Sequence, residues 1–129
     1  MHPRLESYAY ALLRIVAGVM FVFHSFSKLF DWHGGAKAVG SQLWIGGVIE
    51  LVAGTLIALG LFTRPAALLA SGTMAVAYIQ FHWKFDLSEA FWPIVNQGET
   101  ALLYAFVFLL FAASGAGVWS LDGLRKRSA

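Results

Sequence analysis

The chain has 129 residues, of which 59% are hydrophobic and only 12% are charged, and its formal net charge is +2. Soluble domains carry about 25% charged residues, so this short chain lacks the polar groups that would cover a water-exposed surface. It contains no cysteine, which excludes disulfides, thiolate metal sites and redox-active thiols. The small net charge argues against a nucleic-acid partner. These counts predict an integral membrane protein with a single domain over residues 1–129.

The apolar residues fall into four blocks, each close to the roughly 20 residues that a helix needs to cross a bilayer. In chain order the blocks are Tyr8–Phe30, Leu43–Phe62, Pro65–Phe81 and Gln97–Trp119. Helix is expected throughout, because backbone groups inside lipid must be hydrogen-bonded within their own segment. We therefore predict an all-α fold, a four-helix transmembrane bundle in contact with the lipid bilayer.

The distribution of basic residues sets the predicted orientation. If both termini lie on one side, that side carries five lysine and arginine residues: Arg4, Arg64, Arg125, Lys126 and Arg127. The opposite side carries three: Lys28, Lys37 and Lys84. Because cytoplasmic loops are enriched in these residues, both termini are predicted to be cytoplasmic.

A carboxylate in the second block marks the predicted functional site. Glu50 has Gly46 and Gly54 one turn before and after it, and small residues at that spacing let a neighbouring helix approach closely. A charge inside a bilayer is costly unless it is paired or neutralised, so Glu50 is expected to face the other helices. His24 and Lys28 lie one turn apart near the end of the first block.

Helix depth decides which charges can meet. A rise of about 1.5 Å per residue places Glu50 level with His24, and Arg14 about 10 Å deeper. Glu50 is therefore expected to pair with His24 or Lys28, and Arg14 to be a buried structural charge anchored to carbonyls or a carboxylate. A purely structural ion pair remains the alternative for Glu50, and an ordinary hydrogen-bonded histidine the alternative for His24.

The outer ends of the third and fourth helices add further candidates. Tyr78 could bring its phenol to the same space, and Asn96 precedes Glu99 by one turn. Glu99 is also suited to a capping role, since a carboxylate in the first turn interacts favourably with the helix dipole. The combined prediction is an outward-opening polar pocket with aromatic walls, lined by His24, Lys28, Glu50 and Glu99.

Such a pocket suits a quinone, which needs an apolar slot for its tail and hydrogen-bonding groups for its head oxygens. The same groups could instead bind a small polar molecule that enters from the membrane plane. A haem held by His24 and His82 is not expected, because the two histidines differ in depth and nothing else indicates a porphyrin slot. No metal site is predicted.

Five segments carry a family resemblance: Leu13–Phe30, Gly47–Leu51, Gly60–Ala66, Glu99–Tyr104 and Ser114–Asp122. In this order they resemble the first helix, the second helix and its following turn, and the fourth helix and closing segment of DoxX membrane proteins. Ser25 is a departure, since the family usually has glycine after the histidine. The family's recurrent polar positions are matched by Arg14, His24, Lys28, Glu50, Arg64 and Glu99.

The resemblance implies a bacterial inner-membrane protein linked to redox metabolism. The family takes its name from a subunit of a quinone-reducing thiosulfate oxidoreductase, and other members accompany oxidative-stress and quinone-detoxification systems. We therefore expect a quinone-linked subunit that acts with a partner oxidoreductase or as a homo-oligomer. A non-enzymatic scaffold, whose buried charges only fix helix register, is one alternative, and a small-molecule transporter is another.

The expected roles of the polar residues divide into three groups. Catalytic, proton-handling roles are expected for Glu50 and His24. Ligand-binding roles are expected for Lys28, Glu99, Tyr78 and Asn96. Structural charges are expected at Arg14 and Arg64.

Overall fold

A computed structural model describes residues 2–128, and over this range the chain is helical with no strand. The predicted all-α fold is therefore confirmed. The four main helices, one overlapping each apolar block, are α1 (Pro3–Phe30), α2 (Gln42–Leu59), α3 (Thr63–Ala77) and α5 (Glu99–Ser114). The single turn α4 (Pro93–Asn96) precedes α5, and α6 (Leu121–Ser128) ends the described range. Within that range, α1 and α2 are long and apolar enough to cross a bilayer, and α5 is a shorter apolar helix.

The helices form two closely packed pairs, α1 with α2 and α3 with α5. An aromatic seam joins the pairs: the ring centroids of Phe21 and Phe108 are 4.7 Å apart, and those of Phe21 and Tyr104 are 5.7 Å apart. Phe108 and Phe111 are fully buried beside them. Offset or tilted aromatic pairs of this kind stabilise a core beyond the area that they bury.

The contact between α1 and α2 is backbone to backbone. A Cβ added at Gly18 would lie 2.6 Å from the amide nitrogen of Ala58, and one at Gly54 would lie 2.9 Å from the carbonyl oxygen of Gly18. The predicted close approach at Gly54 is therefore present. It allows the two helix axes to come nearer than any larger side chain would permit.

Gly46 does not have the packing role predicted for it. No heavy atom lies within 4 Å of a Cβ added there, whereas a Cβ on Gly47 would lie 3.1 Å from the Cβ of Lys28. The reason is geometric: adjacent helical residues point about 100° apart, so only one of the two glycines can face α1.

Arg14 is fully buried and binds backbone carbonyls. Its guanidinium donates hydrogen bonds to the carbonyls of Ile57 at 3.1 Å, Val118 at 3.1 Å and Trp119 at 2.7 Å, and also to that of Ala116. Ile57 lies in the last turn of α2, where its carbonyl also accepts from the Gly60 amide and the helix dipole favours a cation. Arg14 therefore ties α1 to the end of α2 and to the segment that follows α5.

That segment, residues 115–120, is irregular and carries its carbonyls toward Arg14. Gly115 and Gly117 have φ angles of 84° and 72°, which glycine adopts without steric cost. The hydroxyl of Tyr10 donates to the Gly115 carbonyl at 2.6 Å. The two glycines thus let the chain turn around the guanidinium.

The start of α1, the α2–α3 turn and α6 meet at one end of the bundle. The rings of Tyr8 and Trp119 stack with centroids 5.0 Å apart. The Asp122 carboxylate accepts from the backbone amides of Phe62 at 2.9 Å and Thr63 at 3.0 Å, and so caps the N-terminus of α3. Burial acts to raise the pKa of Asp122, but these hydrogen bonds outweigh it and the pKa lies below its ordinary value.

The opposite end is closed by a π-helix and short turns. α3 continues into the π-helical segment Tyr78–Trp83. The π-helix is rare in proteins, and the examples that occur are often found at functional sites. Asn96 holds the following loop: its amide nitrogen donates to the Ala90 carbonyl at 2.9 Å and to the Tyr78 hydroxyl at 3.2 Å. Its side-chain oxygen accepts from the Gly98 amide at 2.8 Å.

Removing the Arg14 guanidinium is expected to destabilise the bundle. Arg14→Leu leaves buried carbonyls without a donor and should cost about 3 kcal/mol or more of unfolding free energy. Arg14→Lys should recover only part of this, because an ammonium lacks the planar fork of donors. The midpoint of thermal unfolding in detergent, followed by tryptophan fluorescence, measures both. Arg4→Leu is the matched control, since Arg4 is exposed in the first turn of α1, and a comparable loss there would contradict the role of Arg14.

Asp122→Asn is expected to lower stability by about 1–2 kcal/mol at pH 7, as the loss of a charged cap does. Because the folded-state pKa lies below the ordinary 3.8, the stabilisation by wild-type Asp122 is complete above that value. It is lost as the pH falls through the folded-state pKa. Unfolding measured from pH 7 to pH 2 should show the gap between the two proteins begin to narrow below about pH 3.8 and close toward the acid end. A constant gap would mean that the carboxylate charge does not contribute.

Candidate functional site

A cavity of about 1020 Å³ lies between the two helix pairs and touches all four main helices. Its volume is at the upper end of the roughly 300–1,000 Å³ typical of small-molecule sites. Most of its lining residues are apolar. The polar residues that line it are His24, Lys28, Gln42, Glu50, Thr73, His82, Gln97, Thr100 and Tyr104.

The charged part of the cavity is the pair formed by Glu50 and Lys28. Lys28 Nζ lies 2.5 Å from Glu50 Oε1. Of the two partners predicted for this carboxylate, His24 and Lys28, it therefore pairs with Lys28. Glu50 is 2% exposed, whereas Lys28 is 24% exposed near the end of α1. Pairing offsets much of the cost of burying the carboxylate, and the aliphatic stem of lysine lets its charged head stay near the more polar end.

Two buried polar atoms that belong to cavity-lining residues have unused hydrogen-bonding capacity. Within the described residues, neither Glu50 Oε2 nor the Tyr104 hydroxyl has a hydrogen-bond partner. Tyr104 is only 8% exposed and lies close enough to Glu50 for the carboxylate charge to act on its phenol. Buried polar groups are almost always paired, so two orphans in one cavity indicate a place for a polar ligand group.

His24 borders the same cavity from α1. Its ring is exposed and meets the Tyr104 ring edge-on, with centroids 5.9 Å apart. The structure thus brings His24, Lys28 and Glu50 together, as predicted, and adds Tyr104 from the opposite helix pair.

The other three predicted ligand-binding residues do not line the cavity. Glu99 is exposed in the first turn of α5, because the face of α5 that meets the cavity carries Thr100 and Tyr104, four residues apart, and Glu99 lies off that face. Tyr78 and Asn96 bond to each other, and Asn96 holds the loop that follows the π-helix. The predicted pocket is therefore corrected at Glu99, Tyr78 and Asn96.

The two predicted structural charges both lie away from the cavity. The Arg14 guanidinium donates to backbone carbonyls at the opposite end of the bundle, as described above. Arg64 is exposed and donates to the carbonyls of Ala112 at 3.2 Å and Ala113 at 2.5 Å, in the last turn of α5. Its cation thus meets the negative end of the α5 dipole.

Sequence reasoning missed Tyr104 and Gln42 as site residues. Tyr104 carries a signal that could have found it, since a phenol in the middle of an apolar block needs a hydrogen-bond partner. The Gln42 amide donates to the Gln80 side-chain oxygen at 2.5 Å and so links the start of α2 to the π-helix. No local pattern predicts that contact.

Exposed residues of α2 and α3 contribute to the lining of the cavity. Gly46 and Gly72 both line it, and a Cβ added to either would meet no heavy atom within 4 Å. Leu68 and Leu69 also line it and are 61% and 52% exposed on the outer surface of α3. These four residues define an apolar lateral groove, which belongs to the same cavity as Glu50 and Tyr104.

No group of three or more histidine, aspartate or glutamate side chains able to hold a metal ion occurs among residues 2–128. The cavity therefore offers hydrogen bonds and one ion pair as its polar chemistry. Such groups can bind a polar head and exchange protons with it.

Comparison with known proteins places the chain among membrane proteins. A relative from Haemophilus influenzae, described as an uncharacterized protein, is 46% identical over 124 residues, which cover 92% of each chain. Inner membrane protein YphA of Escherichia coli is 31% identical over 120 residues, 86% of each chain. An uncharacterized membrane protein of Mycobacterium tuberculosis is 38% identical over 91 residues, 64% of this chain and 55% of the relative. No solved structure matches.

The DoxX family model matches residues 9–83, more than half of the chain. The resemblance noted in the sequence is thereby confirmed. This chain is a membrane protein and belongs to the DoxX family.

Proposed function

We propose that this protein is a quinone-linked subunit of the bacterial inner membrane that works with a partner oxidoreductase. The observation that supports this most strongly is the combination of an apolar lateral groove with buried, unpartnered polar atoms at its inner end. An isoprenoid quinone has the same two parts, a long apolar tail and a small head with two oxygens. The groove binds the tail, and the polar atoms form hydrogen bonds with the head.

In the membrane, the four main helices span the bilayer with both termini in the cytoplasm. The end of the bundle that holds the start of α1, the α2–α3 turn and α6 carries the larger number of basic residues, which favours the cytoplasmic side. Trp32 and Trp92 are exposed at the opposite end, where tryptophan commonly lies at the interface. The cavity then belongs to the outer half of the bilayer.

The residues around the head-group position divide the chemical work. Lys28 and Tyr104 supply donors, Glu50 supplies an acceptor, and His24 can either donate or accept. The Lys28–Glu50 pair places a cation beside an anion inside the bilayer without leaving a net charge there. A quinone contributes two-electron, two-proton redox chemistry, and these side chains bind, orient and exchange protons with its oxygens.

Electrons must come from another protein in this proposal. Electron carriers are commonly held by cysteine or histidine ligand sets, the chain has no cysteine, and no metal-holding group of three is found in residues 2–128. A partner oxidoreductase supplies the carrier, and this chain supplies the membrane site.

Filling the lateral groove is expected to block tail binding without unfolding the protein. Gly72→Leu places its side chain in open space, so the thermal midpoint should stay within a few degrees while the affinity for a one-isoprenoid 1,4-quinone falls by about tenfold or more. Quenching of tryptophan fluorescence measures the binding. Ala113→Leu, on an exposed position outside the cavity, is the control and should bind as wild type does.

Three outcomes would overturn the proposal in different ways. Equal quinone binding by Gly72→Leu and wild type would show that the groove is not the tail site. Collapse of the bundle on changing any cavity residue, with no quinone bound by wild type, would favour a scaffold. Flux of a small molecule across proteoliposomes that contain this protein and no redox partner would indicate a transporter.

A further inference from the structure

The two orphan atoms of the cavity make different demands on a ligand. The Tyr104 hydroxyl can either donate or accept a hydrogen bond. Glu50 Oε2 is more restrictive: Lys28 Nζ lies 2.5 Å from the other oxygen of the same group, so the carboxylate is the anionic partner of an ammonium. An ionised carboxylate oxygen can only accept.

Because Glu50 Oε2 is buried, its need for a hydrogen-bond donor has an energetic consequence. Glu50 is 2% exposed, and an acceptor buried so deeply carries a desolvation cost unless a donor reaches it. The remaining protons of Lys28 are less demanding, because Lys28 is 24% exposed and its head can reach more polar surroundings. A ligand that enters the cavity is therefore selected mainly by what it offers to Glu50 Oε2.

The two redox forms of a quinone differ at this point. The carbonyl oxygen of the oxidised form has no proton. Beside Glu50 Oε2 it would place two hydrogen-bond acceptors next to each other, which is unfavourable. The hydroxyl of the reduced form donates to Glu50 Oε2 and can accept from the Tyr104 hydroxyl at the same time. One hydroxyl thus satisfies both buried orphans.

We propose that the cavity selects a hydroxyl-bearing head group, the hydroquinone rather than the quinone, through donation from that hydroxyl to Glu50 Oε2. This inference rests on the proposed function for the presence of a quinone-type ligand, and adds which redox form the resting site binds. Glu50 is the specificity-determining residue. Tyr104 supports both forms, because its hydroxyl can donate to either oxygen.

The test compares three probes on the full-length protein in detergent under anaerobic conditions. They are a one-isoprenoid 1,4-quinone, its hydroquinone and the dimethyl ether of the hydroquinone, each prepared in the benzo and naphtho series. The ether keeps the ring, tail and oxygens but has no hydroxyl proton. We expect the hydroquinone to bind about tenfold or more tighter than both other probes, the size of a hydrogen bond to a charged group.

Two variants separate the roles of the orphans. Glu50→Gln carries an amide that can donate to a carbonyl, so the preference for hydroquinone should disappear or reverse. Tyr104→Phe removes a hydroxyl that has no internal partner. It should fold as wild type does and weaken both redox forms about fivefold, which leaves their ratio unchanged.

If Glu50→Gln does not fold, the double variant Lys28→Met, Glu50→Gln replaces the ion pair by uncharged groups and makes the same prediction for the ratio. Equal binding of hydroquinone and ether by wild type would overturn the inference while leaving the quinone site standing. The inference would also be overturned if Glu50→Gln left the ratio of hydroquinone to quinone affinity unchanged. Failure of all three probes to bind in either ring series would instead overturn the proposed function.

Discussion

The guanidinium of Arg14 is the constraint on which the arrangement of the bundle depends. It gathers carbonyls from the last turn of α2 and from the irregular segment after α5. Inside a bilayer such carbonyls must be satisfied by the protein. One buried side chain thus fixes where α1, α2 and the closing segment meet, and it allows a non-helical stretch to lie against the bundle.

This use of Arg14 leaves Glu50 to a different partner. An arginine and a glutamate within apolar helices invite a direct pairing, yet here Arg14 binds the carbonyl of Ile57 in the last turn of α2, whereas Glu50 lies two turns earlier in α2. Glu50 pairs with Lys28, and α1 and α2 are held at short distance by Gly18 and Gly54. Both members of the ion pair therefore sit on one rigid helix pair, whereas Tyr104 faces them from the other.

Much of this could be predicted from residue patterns. Block lengths gave the positions of the four helices, and counting residues along them placed Lys28 within reach of Glu50 and Arg14 out of reach. Which face of α5 meets the cavity could not be predicted in the same way. Glu99 was predicted as a site residue because it is charged, whereas Tyr104 lies in an apolar run and was not. Periodicity shows which residues share one helix face, but it does not show which faces of separate helices meet. That depends on packing, as the contrast between Gly46 and Gly47 illustrates.

The irregular parts were beyond pattern reasoning for another reason. The π-helix at Tyr78–Trp83 and the positive φ angles at Gly115 and Gly117 arise from tertiary contacts. Local propensity carries no signal for the carbonyl cluster around Arg14. Only the glycines hint that the chain bends there.

Under the proposed function, the lateral groove between α2 and α3 also determines which concentration of the ligand matters to the site. A ligand that enters past Leu68 and Leu69 comes from the lipid phase, so occupancy follows its mole fraction among the surrounding lipids and not its concentration in water. A molecule that partitions strongly into the bilayer can fill such a site even when each contact is weak. Release is then governed by lateral exchange with lipid, and dilution of the aqueous phase leaves the site occupied.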